Sequence, residues 1–271
     1  MYRTGTMSST TRIVGALVLV AVVVVTSSIM TVNNLVLIPV QSELNPLSKW
    51  ILFFSYNPSY PLFTSLTPAI VNAVVWDFRS IDTFFETTVL FASVIGSITI
   101  YYEYFYEKPS RGRGLSLIVK TVVKISMFIA IGLGLAIALK GHITPAGGFQ
   151  GGAVAVAIIY IISMTYSLYW LYTRGIKQTS MLVLRTSGLL GLTAIAFSPV
   201  LLGLVMGYNA YILQNQPKMG APVGYSYDAG GYSVSLAILL LNIFEFFTVL
   251  AAFTLLLMIL GIAGRKEVFI G

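Results

Sequence analysis

Four ionisable side chains crowd one decapeptide, Asp77-Phe78-Arg79-Ser80-Ile81-Asp82-Thr83-Phe84-Phe85-Glu86, and a fifth, Glu245, stands in the apolar run Leu239-Leu240-Leu241-Asn242-Ile243-Phe244-Glu245-Phe246-Phe247. Carboxylates set among apolar residues can strip water from a cation or take up and release a proton. If 77–86 is helical, Asp82 and Glu86 are i, i+4 neighbours and Arg79 lies three before Asp82, so one face carries two carboxylates and a guanidinium. The same residues also read as a capping box, Thr83-x-x-Glu86, that starts a helix at Phe84 and leaves Arg79 and Asp82 as an interfacial pair. Glu245 lies near the middle of its run. An ionised carboxylate there costs at least ~2.5 kcal/mol in a bilayer, so it must face protein and be paired, hydrated or protonated. Asn242, one turn earlier, shares its face. The competing role for Glu245 is a hydrogen bond across a helix interface.

Two further groups could carry protons. His142, the chain's one histidine, has an ordinary pKa of about 6.5 and stands in an outer loop, where hydrogen bonding or packing is its alternative use. Lys120 and Lys124 are i, i+4; Lys124, the deeper of the two, is a relay group or snorkels to headgroups with Lys120. Around His142 runs Gly141-His142-Ile143-Thr144-Pro145-Ala146-Gly147-Gly148-Phe149-Gln150-Gly151-Gly152, five glycines and a proline in twelve residues. Glycine permits positive φ or a close approach of backbone to another surface, and Pro145 fixes φ and removes a donor, so this hairpin needs a specific shape.

Other chemistries are excluded by what the chain lacks. With no cysteine there is no disulfide, thiolate nucleophile or Cys-ligated cluster, and a single histidine argues against a His-rich metal site. There is no Walker loop or G-x-S-x-G elbow, and His142 has no nucleophile to activate. The sequence therefore points to no catalytic site, no metal and no cofactor in this chain.

The elements that must hold these groups are membrane helices. Hydrophobic residues make up 57% of the 271 and charged residues 9%, with a mean hydropathy of +0.88; an average soluble domain carries roughly 25% charged residues. Runs of about 20 apolar residues place spans near 13–32, 83–102, 117–139, 153–172, 183–207 and 233–262. This is an all-α, six-span polytopic protein of the cell membrane. The first span resembles a signal peptide in its basic flank, but it is long for an apolar core of about 7 to 15 residues and no clear A-x-A-like site follows, which favours a retained helix. Arg3, Arg12, Lys108, Arg111, Arg113, Lys120, Lys124, Arg174, Lys177, Arg185, Arg265 and Lys266 fall on one side of these spans, which the positive-inside rule assigns to the cytoplasm together with both termini. The net charge of +7 reflects those loops and implies no nucleic-acid partner.

The outer connections near 33–68, with Pro39, Pro46, Pro58, Pro61 and Pro68, and 208–232, rich in Gly, Pro and Tyr, are too broken for long helices and should rest on protein or headgroups. Trp50-Ile51-Leu52-Phe53-Phe54 suits the membrane interface. A polar link at 103–116 reads as an ordinary loop or a fusion junction, dividing the chain into 1–110 and 111–271.

Gly141-His142-x-Thr144-Pro145-x-Gly147-Gly148-Phe149-Gln150-Gly151-Gly152 resembles the G-H-N-T-P-G-G-G-F-Q-G-G signature of the B subunit of Mrp-type multisubunit Na+/H+ antiporters, departing at Ile143 and Ala146. Asp77-Phe78-Arg79-x-x-Asp82-Thr83-x-x-Glu86 is similar to the end of the large A subunit of the same systems, which in archaeal membrane-bound hydrogenases is a separate small subunit. The resemblance covers roughly 70–262. It implies a two-helix part like the A-subunit end, a four-helix MnhB-like part, and other antiporter or hydrogenase-like subunits as partners in the bilayer. Na+ and H+ would be the moving ions, with Asp77, Arg79, Asp82, Glu86, Glu245, Lys124 and His142 as relay candidates. Ile143 removes a possible polar ligand from the loop. Ala146 leaves Gly147 and Gly148 to make the turn. The alternative function is a structural connector that joins larger subunits and carries no ion.

Overall fold

The computed structural model describes residues 44–112 and 114–270, plus Val18, Val20, Ala21, Val22, Val24, Val25 and Ser28, with side chains as far as Gly264. The span expected near 13–32, with the question of its cleavage, lies outside the described residues. The chain divides into two compact units, Met1–Lys49 and Trp50–Gly271, and the second of them contains the long helices and the connections between them.

Among the described residues five helices are long and apolar enough to cross a bilayer: α3 (Ser80–Ile100), α5 (Leu117–Lys140), α6 (Gly148–Thr165), α8 (Gln178–Met206) and α9 (Leu236–Ile270, apolar to Gly264). Short helices α1 (Pro46–Ser55), α2 (Ile70–Ala73), α4 (Tyr102–Phe105) and α7 (Leu168–Thr173) precede or join them, and Ser226–Asp228 (β1) pairs antiparallel with Ser233–Ser235 (β2). The core forms around α9. Within its apolar window 61% of residues are buried, against 17% in α3 and α5; α9 is thus the central post, while α3 and α5 turn most of their surface to lipid or to other proteins.

Small residues bring these helices together. Lipid supplies no hydrophobic drive for helix association, so close van der Waals packing must do it. Gly134 of α5 lies against the Gly151 carbonyl of α6, and Gly188 of α8 against the Phe244 carbonyl of α9. Pro199, inside α8, frees the Ile195 carbonyl, and the Ser198 hydroxyl donates to it at 2.9 Å, which meets the demand that backbone groups in lipid be satisfied internally.

Three expectations need correction. The span read as 153–172 is two helices: the chain breaks at Tyr166 and Ser167, where Ser167 takes a φ of 132° and its hydroxyl accepts from the Trp170 amide at 3.3 Å, capping α7. Arg185, counted with the loop charges, is fully buried inside α8, because that helix starts at Gln178. Its guanidinium lies 3.9 Å over the Phe91 ring and donates to the Phe91 carbonyl of α3. The capping box also fails. Helix α3 starts at Ser80, and the Thr83 hydroxyl donates to the Val75 carbonyl at 2.8 Å rather than capping a helix at Phe84.

Candidate functional site

The glycine motif is not a turn made by left-handed glycines. Gly141 is right-handed helical, Gly147 is extended, and Gly148, Gly151 and Gly152 are already inside α6; no motif glycine has positive φ. The expectation that Gly147 and Gly148 supply the turn is therefore wrong, and their close approach to neighbours is the reason for them. A Cβ on Gly148 would run into the Asn242 carbonyl and lie 2.8 Å from the Glu245 Cβ; one on Gly152 would lie 2.9 Å from the Val249 Cβ. Bare glycine lets the first turns of α6 lie flat on α9 beside Asn242 and Glu245. The turn itself is local: Ile143 and Thr144 amides both donate to the Lys140 carbonyl at 2.8 Å, and the Thr144 hydroxyl does so at 3.1 Å. Pro145 follows without a donor of its own.

Asn72 holds this loop from the other side. Its side-chain amide donates to both the Gly141 and Ala146 carbonyls, and it is buried. After α2 the chain widens into a π-helical turn over Val74–Phe78, closed by the Arg79 amide on the Val74 carbonyl at 2.8 Å. Insertions of this kind recur at functional sites because the added residue re-aims the side chains beyond it. Here Trp76 becomes completely buried, with its indole N–H towards the Glu245 carboxyl, short of full hydrogen-bond geometry. The Phe149 amide also lies against that carboxyl.

These elements enclose a cavity of about 180 Å³ between α2, α3, α6 and α9, lined among others by Asn72, Thr83, Glu86, Gly147, Gln150 and Glu245. A second cavity of about 330 Å³ shares Glu86, Phe149 and Glu245 and continues along α3 past Thr87 and Ser93. Glu86 and Glu245 interact electrostatically. Glu245 is 6% exposed, whereas Glu86 is open on the surface of the chain. Beside them, amide oxygens converge on Gly147: a Cβ there would lie 2.7, 3.4 and 3.6 Å from the side-chain oxygens of Gln150, Asn72 and Asn242. The Asn242 oxygen accepts from the Gly148 amide at 3.3 Å, while its buried amide nitrogen has no partner. Two carboxyls with amide and hydroxyl oxygens suit a hydrated monovalent cation or a proton. Among the described residues no group of three His, Cys, Asp or Glu side chains converges as a metal site would require.

The structure divides the other expected relay groups. Arg79 and Asp82 form the expected i, i+3 pair, exposed and at 2.7 Å, and Asp82 and Glu86 keep their i, i+4 spacing within α3, but of the three only Glu86 lines the cavity. Asp77 lies 3.8 Å from Lys218 at the outer surface; burial pushes its carboxyl above the usual range and the Lys218 ammonium partly offsets this. His142 is buried in the outer cap, where its Nε2 lies 2.7 Å from the Tyr227 hydroxyl of β1, and burial pushes its imidazole below the ordinary value. Lys124 lies near the opposite end of α5, outside both carboxylate cavities. The described ends of the outer connections rest on protein, with Thr64, Ser65, Thr67, Gln214, Asn215 and Gln216 all buried.

Sequence reasoning missed Asn72 and Trp76. A signal was present: Asn72 is the one amide in Ile70-Val71-Asn72-Ala73-Val74-Val75, just before the acidic cluster. We expect Asn72→Ala to destabilise the chain by about 1 to 3 kcal/mol, since two carbonyls lose their buried donor at once. Limited proteolysis in detergent should show cleavage within 141–147 rising in the variant, and an unchanged cleavage rate would remove the clamp.

Comparison with known proteins agrees with this architecture. Over 116 residues the chain is 31% identical to an uncharacterized protein of Methanocaldococcus jannaschii, a stretch of 36% of this chain and 44% of that protein, so the chain spans less than half of this curated relative. Its fold is similar to a chain in the structure of the Mrp complex from Dietzia sp. DQ12-45-1b, with a TM-score of 0.55 and 18% identity over 94% of this chain and 26% of that one. It is also similar to a chain of the membrane-bound sulfane sulfur reductase, an archaeal respiratory membrane complex, with a TM-score of 0.59 and 19% identity over 90% of this chain and 97% of that one. At these identities the likeness is one of fold. Residues 118–255, from the start of α5 into α9 and about half of the chain, match the domain related to the MnhB subunit of the Na+/H+ antiporter. The chain is thus a multi-pass protein of the cell membrane and belongs to the MnhB-related family.

Proposed function

We propose that this chain is a membrane subunit of an Mrp-type antiporter-like assembly and takes part in exchanging Na+ for H+ across the membrane. The observation that carries the reading is the pair of adjoining cavities, each lined by both a buried carboxyl, Glu245, and an exposed one, Glu86, on membrane spans. An open carboxylate within a bilayer helix is costly unless water or another polypeptide covers it, so the cavity opens sideways onto a neighbouring subunit. The ion path runs along that contact: Glu86 receives a cation or proton, Glu245 alternates between protonated and cation-bound states, and Asn72, Gln150 and Thr83 replace part of the cation's water. Residues 1–110 act as a fused counterpart of the A-subunit end. The start of the family match at residue 118 supports a division near the polar link.

A connector that carries no ion is favoured by the thin burial of α3 and α5, which leaves wide faces for other subunits. The two readings separate when Glu86 and Glu245 are replaced by Gln. Loss of transport with assembly intact supports the ion path, and loss of assembly supports the connector.

Mild-detergent purification of the tagged chain from its native membranes tests the assembly. Antiporter-like subunits are expected to co-purify. Iron–sulfur or nickel proteins among them would make the assembly the membrane arm of a redox-driven pump, and their absence a gradient-driven exchanger. Recovery of the chain alone would overturn the proposal.

A further inference from the structure

At the other end of α5 from the carboxylate cavity, a groove of about 320 Å³ lies between α5, the end of α6 and α7. Its rim carries Lys124 and Arg174, its wall Tyr166 and Trp170, and its buried floor Val123 and Ile162, with Met127 and Phe128 continuing along α5; no acidic residue among the described ones lines it. The wall is built, not incidental. Trp170 stacks on Tyr166 with centroids 4.8 Å apart, Arg174 lies 5.1 Å over the Trp170 ring, and the Lys120 ammonium lies 5.9 Å from the Tyr166 ring. The Tyr166 hydroxyl donates to the Lys120 carbonyl at 2.8 Å, fixing the column to α5.

The groove's depth identifies its occupant. Lys124 is seven residues into α5 and Tyr166 directly follows the end of α6, so its polar rim sits at headgroup level on the side assigned to the cytoplasm, and its floor runs towards the bilayer centre. Basic pockets between membrane helices on that side suit anionic lipid headgroups. We propose that this groove holds one anionic phospholipid, with its phosphate between Lys124 and Arg174 and an acyl chain along Met127 and Phe128. A zwitterionic choline headgroup fits less well, because the cation-binding face of Trp170 is already covered by Arg174 and the Lys124 ammonium adds a second charge of the same sign at the rim.

The test uses the full chain in its native complex, reconstituted in nanodiscs of phosphatidylcholine and phosphatidylglycerol, with one lipid or the other brominated. Quenching that disappears in Trp170→Phe reports on Trp170. Each basic residue near the surface is worth a factor of roughly 5, so brominated phosphatidylglycerol should quench this signal at least about fivefold more effectively than brominated phosphatidylcholine. The ratio should fall to about one in Lys124→Gln/Arg174→Gln and persist in Lys177→Gln, whose ammonium instead lies over Tyr172. If the double variant does not assemble, the wild-type ratio decides alone. Equal quenching by the two lipids, no quenching because a protein fills the groove, or relief of quenching by millimolar inorganic phosphate would each overturn the proposal.

Discussion

Glu245→Gln is expected to leave the assembly intact and to lower sodium-dependent proton movement by a factor on the order of 10² or more, the scale set by losing a positioned proton-transfer group. The amide has nearly the volume of the carboxyl and can still meet the Phe149 amide and the Trp76 indole, so the packing of α9 should survive. What is lost is the ability to hold a negative charge in a cavity whose other carboxyl is Glu86. Glu86→Gln should act in the same direction but less strongly, because its open position lets water take over part of the role. Since the two groups share one cavity, the double variant should lose far less than the sum of the single losses. Proton flux in everted vesicles on addition of Na+ reads all three, and wild-type flux from Glu245→Gln would remove that residue from the path.

The largest structural effect should come from Gly148. Replacing it with Ala puts a Cβ against the Asn242 carbonyl and within 2.8 Å of Glu245, and backbone on either side cannot move aside as a flexible side chain would. Overpacking costs about 1 to 3 kcal/mol, and this position belongs at the upper end because α6 and α9 must separate along the whole contact that Gly152 continues. Gly148→Ala should therefore lower the thermal midpoint of the detergent-purified protein markedly and impair transport through displacement of Glu245. Gly96→Ala and Gly132→Ala are the controls. Both are helical, with nothing within 4 Å of an added Cβ, and removing a helical glycine stabilises by roughly 0.5 to 1 kcal/mol. Equal behaviour of all three variants would contradict the close-approach account of the motif.

Much of this molecule was legible in its sequence because bilayer physics leaves few choices. Apolar length located all five described spans to within a few residues at most ends, and the isolated Glu245 marked itself by its cost. The chain departs from that reading where local hydrogen bonding overrides hydropathy: Ser167 capping α7 ends a helix that apolar composition would have continued, and the π-helical turn at Val74–Phe78 sets Asp77 apart from the helix that carries Asp82 and Glu86. Composition also identified the glycine motif as special without giving its reason. Close approach and positive φ both call for glycine, and only the position of Asn242 and Glu245 against Gly148 distinguishes them. Asn72 escaped notice because a lone amide in a short apolar segment becomes informative only once its partners, 69 and 74 residues away, are known.

The absence of cysteine from the chain permits a direct test of the central claim, that a hydrated cavity reaches Glu86 and Glu245 within the assembled complex. Val75→Cys places a thiol on the cavity wall while leaving both carboxyls, and Leu255→Cys places one in the dry core of α9. In the native complex, a charged methanethiosulfonate reagent should modify the first and not the second, and Na+ should slow the reaction at position 75. A thiol at 75 as unreactive as that at 255 would mean that no water reaches the carboxylates, and would contradict the ion path.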